Sequence, residues 1–169
     1  MDMTGTPDLT MIRHLKSKGR YEEARDQLAI WLEADPDNPR LVLEMGFTLD
    51  NLGDEVHAIP FYERALALGL DPADRPEAYI GLGSSLRVIG RTWDSRKVLE
   101  RALGEFSDHP GIRVFYALTL YQDGNASDAI RQLLDVMLRE VVHPDFVPYR
   151  QSLRYYRDHL TEHGFHSED

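Results

Sequence analysis

The chain has 169 residues, enough for one domain with a sizeable core or for a short array of repeats. Its formal net charge of −10 disfavours non-specific attraction to nucleic acid or to an anionic membrane. The absence of cysteine excludes disulfides, a thiol nucleophile and cysteine-based metal centres, and fits a reducing, cytoplasmic setting. The opening MDMTGTPDLT has neither a basic start nor an apolar run, so it does not read as a signal peptide. No apolar stretch reaches the roughly 18 residues that a membrane-crossing helix requires.

Taken in chain order, the sequence is punctuated by four turn glycines, Gly19, Gly53, Gly90 and Gly124, at intervals of 34, 37 and 34 residues. Five residues after each comes a small side chain: Ala24, Ala58, Ser95 and Ala129. Nine after each comes a large one: Leu28, Tyr62, Leu99 and Leu133. Four before each comes a leucine: Leu15, Leu49, Leu86 and Leu120. Seven before lie Gly46, Gly83 and Ala117, with Ile12 as the exception. Small residues let paired helices approach, and large ones fill the space beside them.

The pattern defines four helix–turn–helix units, 5–38, 39–72, 76–109 and 110–143, with residues 73–75 inserted in the loop GLDPADR. Pro39 and Pro110 sit where a helix begins, since a missing N–H costs nothing in the first turn. Asp74 reads as the cap of the third unit. Pro60 falls inside a helix and is expected to bend it locally. Beyond residue 143 the repeat stops. HPDFVPYRQSLRYYRDHLTEH places Phe146, Tyr149, Leu153, Tyr156 and Leu160 on one face, which predicts an amphipathic helix over 145–163. An array leaves an apolar face at its last unit, and this helix is expected to cap it. Residues 5–163 then form one domain, with 1–4 and 164–169 as flexible ends.

A repeat of this length and pattern resembles the tetratricopeptide repeat. The run YERALALGLDPADRPEAYIGLGSSLRVIGR, with its lengthened loop and the lone end helix after the last unit, is similar to small stand-alone bacterial proteins of that class, group 5. The resemblance covers residues 10 to about 160. It implies an all-α, right-handed α-α superhelix of four repeats plus an end helix. It also implies a non-enzymatic module for protein–protein interaction, with ligands on the concave face lined by the first helix of each unit.

Carried over by the resemblance, the groove positions are Arg13, Lys16, Arg40, Leu43, Phe47, Asn51, Ile80, Ser84, Arg87, Leu118, Tyr121 and Gln122. Thr6 and Asp50 belong to the same columns. Leu43, Phe47, Ile80, Val114, Leu118 and Tyr121 offer an apolar strip, and Arg13, Lys16, Arg40 and Arg87 edge it with positive charge. Such a strip suits an acidic amphipathic peptide or helix. Leu43, Ile80 and Val114 also suit packing between neighbouring first helices. Of the positions that form a carboxylate clamp in one subtype, Leu9, Arg13, Glu44, Glu77 and Gly81, only Arg13 fits, so a clamp is not expected.

Two alternatives compete with peptide binding. The tyrosine-rich end helix, with Tyr149, Tyr155 and Tyr156, suits a homodimer interface. HLTEH at 159–163 matches an inverted zinc-protease pattern, which would make His159 and His163 ligands, with His166 following. That motif has no enclosing catalytic domain, so surface histidines are the expected reading. The glycines of YIGLGSSL fall mid-helix and read as packing positions, because a phosphate loop must join a strand to a helix. No cofactor, metal or catalytic residue is expected.

Overall fold

The computed structural model describes residues 8–160. Thr6, the flexible ends expected at 1–4 and 164–169, and the histidines at 163 and 166 lie outside them. Among the described residues every regular element is helical: α1 Thr10–Ser17, α2 Tyr21–Ala34, α3 Pro39–Asn51, α4 Glu55–Ala67, α5 Arg75–Val88, α6 Thr92–Glu105, α7 Pro110–Gln122, α8 Ala126–Glu140, a 3-10 turn Pro144–Tyr149, and α9 Arg150–His159. Among them no helix is long and apolar enough to cross a membrane.

Some helix ends carry their own chemistry in the sequence. The four turn glycines take φ between 70° and 81°, a region costly for other residues and cheap for glycine. Asn38 caps α3 by accepting from the amides of Arg40 at 3.1 Å and Leu41 at 3.2 Å. His109 caps α7 through Nδ1, which accepts from the amide of Ile112 at 3.3 Å. Asp74 occupies the cap position of α5, but its carboxylate makes no capping bond and pairs with Arg40 instead. Residues 73–75 lengthen the loop, and α5 starts only at Arg75. α4 runs on through Pro60, which lies on the exposed side.

The chain divides into two compact units, residues 1–91 and 92–169. In the first, α3 packs against both α2 and α4, and α5 packs on α4 and α3. Its core includes Ile12, Leu28, Leu41, Val42, Leu43, Tyr62 and Tyr79. In the second, α7 packs against α6 and α8, and α9 lies on α8. Its core is built on Leu99, Ala102, Ile112, Ala117, Leu120 and Ala129. The small residues five places after the turn, Ala24, Ala58, Ser95 and Ala129, are all buried, as close helix approach requires. Full burial of a leucine such as Leu28 or Leu99 contributes about 1.5–3 kcal/mol.

The end segment departs from the sequence expectation. Residues 144–149 form a 3-10 turn rather than the start of an α-helix, with Pro148 unable to donate a helical hydrogen bond. α9 then spans ten residues, and neither element buries a single side chain. Phe146, Leu153 and Leu160 are half-buried, while Tyr149 and Tyr156 remain 63% and 55% exposed. Several polar bonds tie the segment to α8 and beyond. Arg157 pairs with Asp135 at 2.9 Å, Arg131 donates to the carbonyl of Arg157, and Arg150 donates to the carbonyls of Leu138 and Val141.

Candidate interaction surface

In the first unit, α3 and α5 each turn one stripe towards solvent. Arg40, Phe47 and Asn51 share the stripe on α3. Glu77, Ser84 and Val88 hold the matching positions on α5, with Ile80 and Arg87 half-buried beside them. Leu43, expected on this surface, is fully buried and belongs to the core. The helical period explains this, because residue 43 lies about 60° from the 40–47–51 line, towards the neighbouring helix.

The charges on this surface are arranged differently from the simple positive rim. Glu44 is only 4% exposed, and its two oxygens are held by Lys16 at 3.0 Å and Arg40 at 3.2 Å. Arg40 also pairs with Asp74. These two cations and two anions sum to zero, so Lys16 and Arg40 neutralise their own neighbours. Lys16 has a second role, with its ammonium 5.4 Å from the centre of the Phe47 ring. It thereby ties α1 to α3 beside the aromatic. Arg13 is exposed on α1.

Behind Phe47 lies an arrangement that sequence reasoning missed. Phe47 meets Tyr62 edge-on, with centroids 5.6 Å apart. Tyr62 is fully buried, its ring packed closely against Gly46 of α3 and Gly81 of α5. A Cβ at Gly81 would lie 2.5 Å from Tyr62 Cζ, and one at Gly46 would lie 2.9 Å from Cε1. The Tyr62 hydroxyl donates to Asp50 Oδ2 at 2.6 Å, and the Ser85 hydroxyl lies 2.6 Å from Oδ1. Asp50 thus joins α3, α4 and α5 through two hydroxyls. Burial pushes the Asp50 carboxyl above its usual range, and the bonds from Ser85 and Tyr62 only partly offset this. Burial, followed by the Asp50 charge, pushes the Tyr62 phenol upward as well. The spacing of Gly46 and Gly81 around a buried tyrosine was the available signal. The repeat columns pointed to Gly83 instead.

Asn51 is exposed and bonds to the carbonyl of Phe47 at 2.6 Å, which holds it along the stripe. In the second unit, Leu118, Tyr121 and Gln122 line one exposed side of α7, with Leu118 40% and Tyr121 71% exposed. Gln122 reaches Thr92 at 3.5 Å.

Among the described residues no group of three or more histidines and carboxylates is placed to hold a metal. His159 stacks on Tyr155 at 4.2 Å, with Nδ1 2.7 Å from the Tyr155 carbonyl. The other histidines of the zinc-protease pattern lie outside the described residues.

Residues 39–160 match the family model described as Tetratrico peptide repeat, so the chain belongs to that family. No functionally curated protein matches it. Among solved structures, MamA is similar over 93% of this chain and 91% of its own, at 21% identity and a TM-score of 0.69. A MamA fragment from Desulfovibrio magneticus RS-1 is similar over 90% of this chain and 88% of its own, at 21% identity and a TM-score of 0.65. YrrB, titled a TPR protein with an unusual peptide-binding site, is similar over 89% of this chain and 76% of its own, at 19% identity and a TM-score of 0.65. At these identities the likenesses establish the fold.

Proposed function

We propose that the chain is a non-enzymatic interaction module that binds a peptide or helix on the α3–α5 stripe. One observation carries the reading: Phe47 is a large aromatic held half-open on a rigid support. Tyr62, Lys16 and the Asp50 bonds fix it from behind. A preorganised aromatic loses little entropy on binding, which makes it an effective anchor. Ile80 supplies an adjacent apolar contact, and Asn51 and Ser84 supply polar ones. The peptide-binding title of YrrB is consistent with this use of the fold. Lys16 and Arg40 are already neutralised by Glu44 and Asp74, so apolar complementarity rather than an acidic ligand sets the preference.

The test is selection from a displayed library of amphipathic helical peptides, followed by titration of a selected peptide. Phe47→Ala is expected to weaken binding at least ten-fold, and Arg87→Glu to change it measurably. Unchanged affinity in both variants would remove this assignment.

A further inference from the structure

In this fold the second helix of each unit is covered by the first helix of the next. The position nine residues after the turn glycine records that cover. Leu28, Tyr62 and Leu99 hold it in the first three units, and all three are fully buried. For Tyr62 the cover includes Gly81 of α5.

Leu133 holds the same position in α8, and it is 38% exposed. Ile130 and Met137 flank it, one turn to either side, at 45% and 41% exposure. α9 does not replace the missing helix, because it docks elsewhere. Its partners on α8 are Arg131, Asp135 and the backbone at Leu138. In the other second helices the position of Asp135 is taken by Ile30, Arg64 and Arg101, all exposed. α9 therefore lies on the side of α8 that other units leave to solvent. Among the described residues, the side that other units bury stays open.

We infer that this open face of α8 is an interface between two copies of the chain, paired tail to tail about a two-fold axis at Leu133. The face continues the packing surface already used inside the chain, so helix burial is its established role. Its spacing is that of a short coiled-coil seam, with intervals of three and four residues. A two-fold axis at Leu133 sets Ile130 against Met137 of the partner copy, so the stripe complements itself. Among the described residues, head-to-tail stacking finds no matching surface. At the other end of the chain, α1 has Thr10 and His14 at the positions of Gly81 and Ser85, and both are exposed. The hollow of about 360 Å³ beside Met11 and Ile30 is lined by Arg20, Glu23, Asp26 and Gln27. The pairing is independent of the α3–α5 stripe.

Two measurements on the full chain test this. Light scattering of the wild type is expected to give twice the 19.4 kDa chain mass. Met137→Lys is expected to halve that mass without loss of helical circular dichroism. Leu133→Glu should do the same, and if it unfolds, Met137→Lys decides. The chain has no cysteine, so Leu133→Cys introduces its sole thiol. Oxidised glutathione should convert it to a disulfide-linked dimer at least ten-fold faster than Trp93→Cys, which sits at a site 68% exposed on α6. A monomeric wild type, equal cross-linking of the two cysteine variants, or dissociation by Met11→Glu would overturn the pairing.

Discussion

Gly81→Ala isolates the contact that joins the second and third repeats. The new methyl carbon would lie 2.5 Å from Tyr62 Cζ, 2.7 Å from Cε1 and 2.8 Å from the hydroxyl oxygen. Gly46 also packs closely on the ring, and Asp50 holds its hydroxyl, so the ring is constrained at more than one point. Overpacking of this kind costs about 1–3 kcal/mol. Replacing glycine by alanine inside a helix returns about 1 kcal/mol. The net cost in the wild type is therefore about 0–2 kcal/mol. In a Tyr62→Leu background the three clashing atoms are gone, and the same substitution should stabilise by about 1 kcal/mol. The two backgrounds should differ by about 1–3 kcal/mol, the strain itself. Urea unfolding of the four proteins, with m-values compared, supplies the cycle. If Gly81→Ala changed stability by the same amount in both backgrounds, the packing described for Tyr62 would be refuted.

Other outcomes follow from the same geometry. The folded-state carboxyl of Asp50 is raised above its ordinary value, so its favourable contribution is complete at acid pH and is lost as pH rises through the folded value. Asp50→Asn keeps an acceptor for Tyr62 and gains a donor for Ser85, so its melting temperature relative to wild type should climb between about pH 4 and pH 7. A relative fall over that range would contradict the assignment. Glu44→Ala leaves Lys16 and Arg40 facing each other without their shared anion, and should cost about 1–3 kcal/mol in chemical denaturation. Lys16→Met keeps the stem over Phe47 and should cost less than Glu44→Ala.

The repeat was legible because its residues recur at fixed offsets in all four units, even at Leu133, which lacks the cover that its counterparts have. Glycines at the turns, small residues five places on and large ones nine places on recur for a local, periodic reason. Leu43 carried two readings, groove and packing between first helices, because the columns carry no depth, and its burial agrees with packing. A position can line a groove in relatives and still be core here. The Asp50–Tyr62–Ser85 bonds escaped because they link residues 12 and 35 apart that share no pattern. The charge state of the stripe escaped for a similar reason. Glu44 lies one helical turn from Arg40 on α3, but only the fold brings Lys16 to Glu44 and Asp74 to Arg40. The amphipathic period of the end segment announced a helix with an apolar side. It carried no information about which side of α8 that helix would choose, and Arg131, Asp135 and the α8 carbonyls decided it.

Mapping a selected helical peptide onto the isotope-labelled chain by amide chemical shifts tests the proposed function most directly. Shifts concentrated at Phe47, Asn51, Ile80 and Ser84, and lost in Phe47→Ala, are the predicted result. Shifts concentrated on the outer sides of α2 and α4, with those four residues unmoved, would contradict it.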